Sequence, residues 1–185
     1  LAPSGERTIL TYRGASTHYR TENFIHVNEL KTDWLFLSTL SGNFEVLEFL
    51  LHWAHENSIK VAFNPGKREL KEAQRLAHLL KYIEVLSVNK EEAQLLVDGK
   101  TTRELARKLV ESVRYVLVSD GPNGAVASDG ITLVSAGMYE DVPVADRTGA
   151  GDAFTSGFVS QIALGRDLEA AITFASANST SVVRK

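Results

Sequence analysis

The stretch Asp146–Phe158, DRTGAGDAFTSGF, constrains this chain more than any other. Gly149, Ala150 and Gly151 keep the backbone clear of bulky side chains, and glycine takes the positive φ that a tight turn needs. An apolar segment, Val142–Ala145, comes before, and small residues (Ala153, Ser156, Gly157) follow. The pattern reads as strand, turn, helix. The first N–H groups of a helix have no partners inside it, and with the positive end of the dipole they form an anion site. Asp152 falls at that helix start. A carboxylate among unpaired donors stays ionised and can accept a proton from a hydroxyl. An anion cradle beside a base is what phosphoryl transfer to an alcohol needs, because that chemistry is mostly positioning and charge stabilisation. The same residues also suit an ordinary strand-to-helix connection, with Asp152 as a helix-start charge, and short glycine motifs often match by chance.

Composition narrows the field around this motif. The chain has 185 residues, 44% apolar and 23% charged, enough for one domain with a real core. A net charge of −3 gives no electrostatic case for nucleic acid or an anionic membrane. The absence of cysteine excludes disulfides and thiolate metal sites, and it fits a cytoplasmic enzyme. No apolar run approaches the roughly 20 residues of a membrane span. Leu1–Arg7 is polar and turn-like, so no signal peptide is expected.

Hydrophobic spacing sets out the elements. Thr8–Tyr12 reads as a strand, and Ala15–Thr32 as loop with a helical turn near Val27–Leu30. Trp34–Leu37 is an apolar run typical of a strand buried on both faces. Asn43–Glu56 has helical spacing, with Ser41 or Asn43 as its cap. Ile59–Phe63 is a strand ended by Asn64-Pro65-Gly66. A helix over Leu70–Leu80, a strand over Ile83–Val88 and helices over Lys90–Val97 and Thr102–Ser112 follow. Tyr115–Val118 is a strand, and Ala125–Ala127 and Ile131–Val134 flank a hairpin turn at Ser128-Asp129-Gly130. The closing helices are Asp152–Leu164 and Leu168–Ser181, split by Gly165. Alternating strands and helices imply an α/β fold with a parallel sheet covered on both faces, and ligands beyond the carboxyl ends of its strands.

Three further stretches stand at or near such ends. Asn89 and Glu92 have the spacing of a capping box, Asn capping and Glu answering one turn later. Ser119-Asp120-Gly121-Pro122-Asn123-Gly124 is rich in turn residues, and its glycines would also let backbone approach a ligand. Asn178 lies on a helix of small residues, Ala175, Ser176, Ala177 and Ser179, which suits either tight packing or an adjacent ligand. His52 and His55 lack the spacing of a zinc-protease helix. No P-loop is present, and Phe154 stands where a dinucleotide fingerprint needs its third glycine.

The residues DRTGAGDAF resemble the D-T-x-G-A-G-D signature of the ribokinase-like (PfkB) carbohydrate and nucleoside kinases, with Arg147 where threonine is commonest. N-x-x-E, a T-x-G-x-x-G-like segment with Ser119 for threonine, GAGD and a small-residue helix come in the family's order across nearly the whole chain. The resemblance implies a three-layer ribokinase-like fold with a mostly parallel central sheet and helices on both faces. It implies ATP and Mg2+, with Asn89 and Glu92 ordering magnesium-bound water, and Ser119, Gly121 and Gly124 along the nucleotide. Asn178 would lie beside adenine. Asp146 and Thr148 would hold a monovalent cation such as K+. Asp152 would be the base and Gly149, Ala150 and Gly151 the anion hole. The acceptor would be a small sugar or nucleoside, and a homodimer through lid strands is a further expectation. Family members are longer, so residues 1–185 are expected to be one partial kinase domain whose acceptor-binding and lid portion and extreme C-terminus lie outside it. The rival expectation is a non-catalytic nucleotide-binding or interaction module derived from such a kinase.

Overall fold

The computed structural model describes Tyr12, residues 14–137 and residues 148–184. Four apolar runs of strand length form β1 (Trp34–Leu37), β2 (Lys60–Phe63), β3 (Val85–Asn89) and β4 (Tyr115–Ser119). They lie side by side in chain order and parallel. β5 (Ala125–Ser128) and β6 (Leu133–Ala136) continue the sheet as an antiparallel hairpin. Its turn is closed by Asp129, whose Oδ1 accepts from the N–H groups of Ile131 at 3.0 Å and Thr132 at 2.6 Å, and by Gly130 at φ 87°.

Parallel strands laid down in one direction by right-handed crossovers put the intervening helices on one face. There Leu47 and Leu51 of α1 (Phe44–Glu56) and Leu76 of α3 (Ala73–Leu79), which follows the short α2 (Lys67–Leu70), belong to one core. Ala93 of α4 (Lys90–Leu96), Leu105 and Leu109 of α5 (Thr102–Leu109), and Leu86, Val88, Val116 and Val118 of the sheet complete it. Side chains alternate along a strand, so Ala62, Val85, Leu117 and Ala127 face the other way. They are covered by Phe158 and Ile162 of α6 (Ala150–Ala163) and Ile172 and Ala175 of α7 (Leu168–Val183). The expected mostly parallel sheet with helices on both faces is therefore present.

Local chemistry accounts for most boundaries. Asn43, not Ser41, caps α1, its Oδ1 accepting from Val46 N–H at 3.2 Å. Thr101 caps α5 in a capping box with Glu104. Three expectations need correction. β1 is not buried on both faces: it is the end strand of the described sheet, and Phe36 remains 45% exposed beyond the cover of α6 and α7. The segment Leu70–Leu80 is not one helix but α2, α3 and a 3-10 turn at Leu80–Tyr82. Glu69 must point into loop amides while Leu76 and Leu79 must face the core, and the chain breaks between those two demands. Residues 15–32 hold parts of three short 3-10 turns rather than one. Of the strand expected at Thr8–Tyr12 only Tyr12 is described, and it has no regular structure; Val142–Ala145 lies outside the described residues.

Candidate active site

The register brings two of the motifs together. Asn89 at the end of β3 pairs with Ser119 at the end of β4, Ser119 with Ala125, and Ala125 with Ala136. This row marks the carboxyl edge of the parallel strands, where loops can gather round a ligand.

Asn89 starts α4 as its cap. Its Oδ1 accepts from Glu92 N–H at 2.8 Å, and Glu92 Oε2 accepts from Asn89 N–H at 2.9 Å. The capping box is therefore real, and the pair is locked before any ligand arrives. Burial, the largest influence, raises the Glu92 carboxyl above its ordinary range; the Asn89 N–H and the Lys67 charge pull the other way, and Glu91 adds to the rise. Among the described residues only Oε2 of this carboxylate accepts a hydrogen bond. Oε1 is then the oxygen available to a metal-bound water, which fits a hard cation that keeps its waters. No group of three or more His, Cys, Asp or Glu among the described residues could by itself hold a metal ion.

The loop after β4 is closed by its own backbone hydrogen bonds. Asp120 N–H donates to Gly124 O at 2.8 Å and Asn123 N–H to Asp120 O at 2.9 Å. Gly124, at φ 88°, lies against the carbonyl of Ala136, so its missing side chain serves the sheet. Gly121, at φ 50°, has open space where a Cβ would stand, and it is the glycine a ligand could approach. Lys90 Nζ reaches Asp120 Oδ2 at 3.2 Å and ties α4 to this loop.

α6 begins at Gly149, in the left-handed region at φ 79°. Its first intrahelical bond runs from Ala153 N–H to Gly149 O at 2.9 Å. Among the described residues nothing accepts from the N–H groups of Ala150, Gly151 or Asp152, as expected of a first helical turn. Asp152, Gly151 and Thr148 are exposed; Asp146 and Arg147 lie outside the described residues.

α7 holds this turn in place. Ser176 Oγ donates to the carbonyl of Gly137, just past β6 and so at the same sheet edge. About one turn on, Asn178 Nδ2 donates to Ala153 O at 2.8 Å and Ser179 Oγ to Ala150 O at 2.9 Å. Gly157 lets the helices meet, since a Cβ there would lie 3.2 Å from Ala175 Cα. Asn178 thus spends its amide on the helix that carries Asp152.

Several residues that sequence reading passed over complete the edge. Glu69 is fully buried, and its carboxylate accepts from the N–H groups of Leu40 (2.8 Å), Gly42 (2.8 Å) and Gly66 (3.0 Å) and from Thr39 Oγ1 (3.0 Å). It stitches the loop after β1 to the turn after β2. The signal available was a glycine followed three residues later by Glu, the spacing of a capping box. Asn64 Nδ2 donates to Ser87 O at 2.8 Å, and Ser87 Oγ lies 2.8 Å from Thr155 Oγ1. No sequence pattern marks that last pair.

A mostly parallel sheet covered by helices defines an α/β domain, of the kind in which ligands bind beyond the carboxyl ends of the strands. The chain belongs to the pfkB family carbohydrate kinases, whose family model matches residues 1–185. It is 27% identical over 198 aligned positions to the ribokinase of Haemophilus influenzae, covering 100% of this chain and 61% of that protein. It is 26% identical over 140 positions to the cytidine kinase of Thermococcus kodakarensis, covering 74% of this chain and 50% of that one. Among solved structures it resembles a ribokinase II of E. coli in complex with ATP and Mg2+, at TM-score 0.70 and 20% identity, over 92% of this chain and 56% of that one. The chain spans about half the length of relatives such as these. No helix among the described residues is long and apolar enough to cross a membrane.

Proposed function

We propose that this chain is the nucleotide-binding and catalytic portion of an ATP-dependent kinase that phosphorylates a hydroxyl of a small sugar or nucleoside. One observation carries the reading: α6 opens at the carboxyl edge with three N–H groups that no described residue occupies and an exposed carboxylate in the same turn. Asp152 accepts the hydroxyl proton as the acceptor oxygen attacks. The Gly149, Ala150 and Gly151 amides, with that of Asp152 beside them, hold the charge that builds on the phosphoryl oxygens. Asn89 and Glu92 order water around a magnesium ion, which when bound neutralises phosphate charge. Gly121 and Ser119 border the nucleotide, and Asn178 acts from behind by holding the Asp152 helix.

The acceptor class is drawn from relatives that are a ribokinase and a cytidine kinase. ADP release by the full-length protein, screened over sugars and nucleosides with magnesium present and absent, tests the reading. Magnesium-dependent release with at least one acceptor is expected. ATP binding without release for any of them favours the second reading, a nucleotide-binding module without catalysis.

A further inference from the structure

Ser87 and Thr155 form a hydroxyl pair in a place where an apolar contact would serve stability equally well. Their oxygens are 2.8 Å apart, and the two residues are 4% and 8% exposed. Around them the sheet face is apolar, with Val85, Leu117 and Phe158 in the same core. Replacing both partners of such a bond by apolar groups of the same shape is close to neutral for folding. Stability therefore does not explain the pair.

Its position does. Ser87 stands two residues before Asn89 on β3, about 7 Å along the strand. Thr155 stands three residues after Asp152 on α6, about 4.5 Å along the helix. The bond joins the element bearing the proposed metal-water motif to the element bearing the proposed base. A hydrogen bond weakens steeply when its angle falls away, so it adds a directional restraint on rotation of α6 about its own axis to the packing of Phe158 and Ile162. The carbonyl of Ser87 is held in turn by Asn64 Nδ2 at 2.8 Å, fixing β3 against the turn after β2.

We propose that Thr155, through Ser87, is a positioning residue that sets where Asp152 and the amides of the first α6 turn stand relative to Asn89 and Glu92. The inference rests on the reading of Asp152 as base. Misplacing reacting groups by 1 Å can cost on the order of 10²-fold in rate. Thr155→Val, Ser87→Ala and the double variant S87A/T155V in the full-length enzyme test it. The double variant leaves no unpaired hydroxyl and keeps the test open if a single one fails to fold. Expected is a kcat lower by about tenfold or more in S87A/T155V, with the KM for ATP and the melting temperature little changed, and near-normal kcat in Thr155→Ser, which keeps the hydroxyl. A folded double variant with wild-type kcat overturns the proposal, as does a Thr155→Ser variant impaired as badly as Thr155→Val. Failure of the underlying reading shows separately, as normal turnover in Asp152→Asn.

Discussion

Gly124 lies against the carbonyl oxygen of Ala136, with no room between them for a side chain. The contact seats the loop after β4 on the end of β6. Gly124→Ala places a Cβ into that carbonyl at a φ of 88° that side chains rarely adopt. It should destabilise the fold by roughly 1–3 kcal/mol, as strained backbone positions do. Urea denaturation reads the change directly.

Gly151 is the opposite case. A Cβ there meets nothing within 4 Å, and the residue sits in the first turn of α6. Gly151→Ala should leave stability unchanged or raise it by up to about 1 kcal/mol through helix propensity. If phosphoryl oxygens pack on these amides, the added methyl intrudes and turnover falls. Thermal denaturation and ADP release measured on one preparation separate the two effects.

The Glu69 carboxylate answers three backbone N–H groups from two loops. Glu69→Gln keeps one oxygen for Leu40 and Gly42 and turns an amide NH2 toward the N–H of Gly66, or the reverse. Leaving a buried donor unpaired costs about 1–3 kcal/mol, and the variant should lose that much by urea denaturation. Glu69→Ala abandons all three donors and should lose more.

Glu92 makes a pH-dependent prediction. Its carboxyl is raised mainly by burial, so the folded protein holds that proton more tightly than the unfolded chain does. Its contribution to stability is complete at acid pH and is lost as pH rises through the raised value. Glu92→Gln stays neutral and can still accept from Asn89 N–H. Melting temperatures across a pH series should therefore shift in favour of the variant as pH climbs from the ordinary carboxylate range toward neutrality. Magnesium-dependent ADP release should fall in the same variant.

Much of this architecture could be read before any coordinates. β1, β2 and β4 are apolar runs whose length and composition leave little choice, and Asn43, Thr101 and Asn89 announce their helices through capping chemistry. The glycines were harder, because a sequence shows that a side chain is missing but not what would collide with it. Gly124 lies against Ala136, whereas Gly121 has open space where a Cβ would stand. Asn178 was placed on the right helix, but its bond to Ala153 depends on how closely two helices cross, which Gly157 and Ala175 decide together. The Ser87–Thr155 pair and the bonds of Glu69 to the loop after β1 were missed because they join residues 27 or more positions apart, and polar residues in such sequences ordinarily lie at the surface.

Turnover of Asp152→Asn in the full-length enzyme, measured beside ATP binding by calorimetry, reaches the centre of the account. Removing the base should lower kcat by about 10²–10⁴-fold while ATP still binds. Wild-type turnover in that variant would contradict it.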